Sequence, residues 1–156
     1  MLLALDLSLN STGYVIGSGP NEIILHGAIC PSKKLSQYFR VQSNLSEIKK
    51  LISTHSVHTV IIEDQALGKK SGSTKILGEQ QGVIKFALWE MGVAVAGVSI
   101  TEWKLYFCGT GAASKELIRA TCLDLGYEFG TQDECDALGI YAWAMAQDVL
   151  PVLWCG

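Results

Sequence analysis

At 156 residues, 49 % hydrophobic and 17 % charged, the chain has the size of one ordinary domain and enough apolar content for a sizeable core, which excludes a disordered polypeptide. No apolar run reaches the roughly 18–20 residues of a membrane span. The formal charge of −3 is not the footprint of a protein that coats nucleic acid.

Residues 1–7 (MLLALDL) form a continuous apolar run with one acid, the pattern of a strand covered on both faces. Asn10, Ser11, Thr12 and Gly13 are turn formers, so residues 14–17 predict a second strand folding back, and 22–29 (EIILHGAI) a third. A helix follows at 36–54, with Tyr38, Val41, Leu45, Ile48 and Ile52 on one stripe. Residues 58–63 (HTVIIE) read as a buried strand ending in an acid, and 66–73 (ALGKKSGS) as a flexible basic loop. Helix 74–91, strand 93–98, a helix at 114–126 begun by Ser114, and a last helix at 132–149 complete the order βββαβαβαα, with a further short helix at 101–107. Thr131-x-x-Glu134 has the form of a capping box for that last helix. A meander followed by βα units implies an α/β fold with a mixed five-stranded sheet and helices on both faces. No linker or repeat divides the chain, so residues 1–156 are expected to be one domain.

The N-terminus carries no basic segment before its apolar stretch, and Asp6 interrupts that stretch, which argues against a secretion signal. Five cysteines (Cys30, Cys108, Cys122, Cys135, Cys155) without a C-x-x-C read as reduced thiols of a cytosolic protein. Gly109–Lys115 (GTGAASK) is glycine-rich before a helix but has no Gly before the Lys, so it fails as a Walker A loop. His26, His55 and His58 read as structural.

Four acids stand out. Asp6 lies in a strand covered on both faces, a costly place for a carboxylate unless it is paired, bound to metal or capping a turn. Glu63 ends the strand 58–63. If that strand runs parallel to 1–7, both acids emerge at one carboxyl edge, where open α/β sheets place their sites, whereas Asp64 points to the other face. Asp133 and Asp136 share a helix face with Ile140. The helix dipole accounts for an Asp in the first turn, but no cation lies three or four positions from Asp136. Like charges about 4–5 Å apart repel by roughly 3–4 kcal/mol at an effective dielectric near 20, so four converging carboxylates call for divalent cations. Oxygen-only ligation suits Mg²⁺, with Mn²⁺ as a substitute. Two such ions roughly 4 Å apart promote in-line attack of water on a phosphodiester. With those four acids set aside, 15 − 4 = 11 acids face 12 cations, and the remaining surface is close to neutral.

At these positions the chain resembles the RuvC family of Holliday-junction resolvases, in the RNase H-like superfamily. The opening LALDLSLNSTGY, with Thr12-Gly13-Tyr14 following the acid, is similar to the family's first strand and turn. IIEDQ at 61–65 resembles the second acid, LGEQQGV at 77–83 a helix motif, and QDECDALGI at 132–140 the closing pair of acids. The resemblance covers nearly the whole chain and implies an RNase H-like nuclease cutting Holliday junctions and other branched DNA. Asp6, Glu63, Asp133 and Asp136 would then be catalytic metal ligands for Mg²⁺. Lys115, like Lys104, would contact phosphate near the cut, and Lys115 joins the catalytic set. Lys69 and Lys70 are expected near the junction centre, with Lys75, Lys104, Lys115 and Arg119 along the arms. Two cuts on a two-fold substrate imply a homodimer, with helix 74–91 as its seam through Gly78-x-x-x-Gly82, Ile84, Leu88 and Met91. The expected location is the cytoplasm of a bacterium or a phage-infected host.

Two departures place the sequence nearer the divergent, phage-type members: Asp6-Leu7-Ser8-Leu9 stands where the family commonly has D-P-G-S, and Leu67, Gly68, Lys69 and Lys70 offer no aromatic wedge. The competing readings are a branched-DNA binding module without catalysis, against which all four acids are present, and an actin-like ATPase, which needs two such domains.

Overall fold

The computed structural model describes residues 1–64 and 72–147. The positions expected to matter in the 66–73 loop (Leu67, Lys69, Lys70) and the tail 151–156 lie outside the described residues.

Strands β1 (Leu2–Asp6), β2 (Thr12–Gly17) and β3 (Ile23–Ile29) form the meander, followed by α1 (Gln37–His55), β4 (Thr59–Asp64), α2 (Gly72–Glu90), β5 (Ala94–Ser99), α3 (Ile100–Cys108), α4 (Lys115–Asp124) and α5 (Gln132–Ala146). This is the predicted order. The sheet runs β3-β2-β1-β4-β5, with β1 antiparallel to β2 and parallel to β4. Leu2 and Ala4 pack on one face with Trp103, Phe107, Ile118, Leu138 and Tyr141, while Leu3 and Leu5 pack on the other with Ile48, Ile52, Ile84 and Leu88. The unbroken apolar run of β1 is thus explained: α3, α4 and α5 cover one side, α1 and α2 the other.

The helices start where local chemistry dictates. Thr131 Oγ1 accepts from the Glu134 N–H while Glu134 reaches back to the Thr131 N–H, the expected capping box. Ser114 caps α4 through the Leu117 N–H. A second capping box, Ser99 with Glu102, opens α3 and escaped the sequence reading.

Three expectations need correction. Thr12 and Gly13 belong to β2 rather than to the turn, because both pair with β3 and Gly13 also pairs with Asp6 of β1. Tyr38 is 74 % exposed, and Asn44 takes a buried place on α1 instead. The first turn of α1 stands in solvent, with Phe39 exposed beside Tyr38, and Asn44 is tolerated inside because its Nδ2 donates to the Ser8 carbonyl at 2.9 Å. Ile84 and Leu88, assigned to a dimer seam, are fully buried against the sheet. The outward strip of α2 is Gly78, Gly82, Val83, Phe86 and Trp89.

Candidate metal centre at the carboxyl edge

Asp6 and Glu63 follow the paired residues Leu5 and Ile62 of the parallel strands β1 and β4. Neighbouring strands lie about 4.8 Å apart and successive side chains alternate, so both acids project on the α5 side of the sheet, in register with Ala4 and Ile61. Asp64 takes the other face, where Lys85 of α2 reaches it at 2.7 Å.

Asp133 arrives through a close approach. Gly13 is the cross-strand partner of Asp6, and a Cβ there would lie 1.9 Å from the Asp133 carbonyl oxygen. Only glycine lets the N-terminus of α5 settle on β2, which gives the Thr12-Gly13-Tyr14 segment a physical reason. Asp136 follows one turn later on the same helix face.

Burial first, then the charges of Glu63, Asp136 and Asp133, push the Asp6 carboxyl well above the usual carboxylate range, with Lys104 opposing. Glu63 is also raised by burial; the Trp103 hydrogen bond and Lys104 pull against it and Asp136 adds to it. Asp136 is raised by burial against the hydrogen bond from Gln132 and the charges of Lys104 and Lys115. Asp6 therefore lies within range of the charges of the other three acids at this edge. Even so, among the described residues no three acid, histidine or cysteine side chains stand close enough to enclose an ion. Each outer acid is engaged instead by a hydrogen-bond donor. Ser11 Oγ donates to Asp133, Gln132 Nε2 donates to Asp136 at 2.8 Å, and Trp103 Nε1 donates to Glu63 at 2.7 Å. The donor set is all oxygen, partly desolvated and self-repelling. It fits a hard divalent cation.

Of the predicted basic residues, Lys104 and Lys115 stand beside the acids, Lys104 also donating to the Ala113 carbonyl at 3.3 Å. Arg119 instead donates to the Phe129 carbonyl at 3.4 Å. Lys75 is exposed on α2, on the opposite face of the sheet, with Glu79 at 3.9 Å. Lys69 and Lys70 lie outside the described residues.

Sequence reasoning missed the layer behind the acids. Trp103 is fully buried, and its ring needs Gly139, where a Cβ would come within 2.6 Å of it. The Ser8 carbonyl, in the turn after Asp6, accepts from Thr12 Oγ1 at 2.8 Å, Asn44 Nδ2 at 2.9 Å and Gln80 Nε2 at 3.2 Å. Gln81 Nε2 donates to the Glu63 carbonyl at 2.5 Å. A polar Asn inside an apolar helical stripe was the one available signal. A cleft of about 370 Å³ lined by Tyr14, Cys30, Ser43 and Glu47 opens on the α1 side, away from the acids.

Comparison with known proteins bears on the family and the fold. The family model described as crossover junction endodeoxyribonuclease RuvC matches residues 2–143. The enzyme of that name from Chlorobaculum parvum is 29 % identical over 147 residues, covering 90 % of this chain and 78 % of its own length. Among solved structures, Thermus thermophilus RuvC superposes with a TM-score of 0.73 at 19 % identity, covering 91 % of both chains. The same protein in complex with Holliday junction substrate gives 0.73 at 18 % identity, covering 91 % of this chain and 90 % of the other. At such identities the structural likeness carries the fold alone.

Proposed function

The chain belongs to the RuvC family of crossover junction endodeoxyribonucleases, and on that footing we propose that it resolves Holliday junctions and related branched DNA by hydrolysing phosphodiesters at the carboxyl edge. The observation that carries the reading is the convergence of Asp6, Glu63, Asp133 and Asp136, from three separate stretches of backbone, beside Lys104 and Lys115. Mg²⁺, with Mn²⁺ as substitute, is the cation whose chemistry suits these oxygens. Bound there it would supply charge neutralisation at the phosphate and an acidified water. The protein's own contribution is positional. Trp103, Gln132 and Ser11 hold three of the carboxylates in set rotamers, and the turn braced at Ser8 holds the fourth. Lys104 and Lys115 present positive charge to a phosphodiester that would otherwise be repelled by four acids.

A synthetic four-way junction incubated with Mg²⁺ is expected to be cut into paired nicked duplexes with 5′-phosphate ends, and EDTA to stop the reaction. Undiminished cutting in EDTA would sink the proposal. The non-catalytic alternative predicts binding without any product under either condition.

We further propose that two copies act together, meeting through the outward strip of α2. Val83, Phe86 and Trp89 are 49 %, 59 % and 65 % exposed, Phe86 and Trp89 have ring centroids 6.0 Å apart, and Gly78 and Gly82 leave open space beside them. Large apolar side chains in one row are costly in water, and a C₂ pair would cover them while matching the two-fold symmetry of a junction. Phe86→Glu with Trp89→Glu should leave the fold intact, halve the mass seen by light scattering at micromolar concentration, and turn paired incision into single nicks. A wild type already monomeric with and without DNA would refute the seam.

A further inference from the structure

Exposed aromatic side chains also occur at a second place, the start of α1, and these sit among cations. Between Glu22 and Glu47 the chain holds no acid, yet it carries Lys33, Lys34 and Arg40 in a protein whose net charge is −3. Lys33 and Lys34 are exposed. None of the three cations has an acid partner among the described residues. Beside them Tyr38 is 74 % and Phe39 60 % exposed, with Leu35 at 38 %. The helical stripe predicted for α1 would have buried Tyr38. Instead the tyrosine and its neighbour stand in solvent on the first turn of α1, a turn that contains no acid.

The fold sets this cluster at the catalytic edge. Thr12 pairs with Ile29, and Gly13 with Asp6, so the end of β3 lies level with the end of β1, two strand spacings or about 10 Å away. The chain leaves β3 at that edge and enters α1 within eight residues, after Ile29 and before Gln37. Arg40 then ties α1 to the turn that follows Asp6: its Nε donates to the Leu35 carbonyl at 3.2 Å and its Nη1 to Asn10 Oδ1 at 2.5 Å. Both acceptors are neutral, so the guanidinium keeps its charge while its position is fixed. Cations beside exposed aromatic faces are what a nucleic-acid strand needs when its bases are out of the helical stack: phosphates meet the cations, and bases lie on the rings. A linear duplex, whose bases stay stacked, gains only the phosphate half of this.

We propose that Lys33, Lys34, Tyr38, Phe39 and Arg40 form a second DNA-contacting surface, which takes unstacked nucleotides of the branched substrate on the α1 side of the catalytic edge. The proposal rests on the junction-cutting function above and adds to it a surface that discriminates branched from linear DNA. It involves neither the acids nor the α2 strip.

The test measures affinity by fluorescence anisotropy for a synthetic four-way junction and for a linear duplex of the same sequence, across a salt series. Tyr38→Ala with Phe39→Ala should weaken junction binding on the order of tenfold, leave duplex binding within a factor of two or so, and leave the salt dependence unchanged. Lys33→Ala with Lys34→Ala should make the slope of log affinity against log salt shallower by about two for both DNAs. With 2-aminopurine beside the branch point, wild type should quench its emission by stacking and the aromatic variant should not. Cutting rate at saturating junction should stay at the wild-type level in both variants, since none of these residues touches the acids. Equal junction affinity and equal quenching in wild type and the aromatic variant would overturn the inference while leaving the proposed function standing, provided wild type binds and cuts the junction. A change in molecular mass without a change in DNA affinity would also overturn it, by marking the surface as a protein contact. Unchanged melting temperatures are the check that the exposed substitutions leave the fold alone.

Discussion

Asp6→Asn is expected to reduce junction cutting on the order of a thousandfold or more, since several kcal/mol of charge stabilisation are lost with one ligand, while junction binding persists. The same substitution should stabilise the metal-free protein. In the fold the Asp6 carboxyl is held well above its usual range by burial and by Glu63, Asp136 and Asp133. A raised folded-state pKa contributes stability that is fully present below the unfolded value, near 4, and is lost as pH rises through the folded value. Wild type in EDTA should therefore lose that contribution on the way to neutrality, whereas Asn, which never ionises, should not. The difference in stability between Asp6→Asn and wild type is expected to be small near pH 4 and to grow to about 1–3 kcal/mol at pH 7. Added Mg²⁺ should raise the melting temperature of wild type and hardly move the mutant's. Asp136→Asn should show the same sign with a smaller gain, because Gln132, Lys104 and Lys115 already offset part of that charge. A mutant that melts earlier than wild type at pH 7 in EDTA, beside a wild type indifferent to Mg²⁺, would mean that the acids do not repel one another at a shared site.

Trp103→Phe is expected to lower cutting about 10–100-fold at limiting Mg²⁺, the usual cost of removing a group that orients a ligand. Phe keeps most of the buried ring and removes only the Nε1–H that donates to Glu63 at 2.7 Å. With that donor gone, Glu63 keeps its buried position, its charge is less favoured, and its rotamer is no longer pinned. Most of the lost activity should return at high Mn²⁺, and the Michaelis constant for DNA should stay near wild type, because Trp103 is fully buried and does not face the substrate. Stability should fall by about 1–2 kcal/mol for the unsatisfied acceptor. Gly139→Ala provides an independent check: its Cβ would press the Trp103 ring at 2.6 Å, so it should reproduce the loss of metal affinity without touching either partner. Metal dependence identical to wild type in both variants would assign Trp103 to packing alone.

Much of this architecture was legible in the residues themselves. The double-faced apolar run of β1, the turn formers after it, the periodic stripes of the helices and the caps at Ser114 and Thr131 are local signals, and each element lies where those signals put it. So were the four acids, because a carboxylate interrupting or ending an apolar strand is conspicuous at any level of description. Other features depended on contacts between residues far apart in the chain. Whether α2 turns Ile84 and Leu88 or Phe86 and Trp89 toward the sheet is ambiguous from spacing, since both sets recur at helical intervals; the packing of Ile84 and Leu88 with Leu3, Leu5 and Ile62 decides it. Tyr38 satisfies the same helical period as Ile48 yet stands in solvent on the first turn of α1, while Asn44 is buried because a carbonyl 36 residues earlier accepts its hydrogen bond. The donors that hold Asp133 and Glu63 come from 122 and 40 residues away. Parallel pairing of β1 with β4, and the bare backbone of Gly13 under α5, are what bring them there. Sequence alone determined which groups carry charge and which segments are strands or helices. Only the tertiary structure decided which of those groups face one another, because distances between elements are set by packing over the whole sheet and leave no trace in local periodicity.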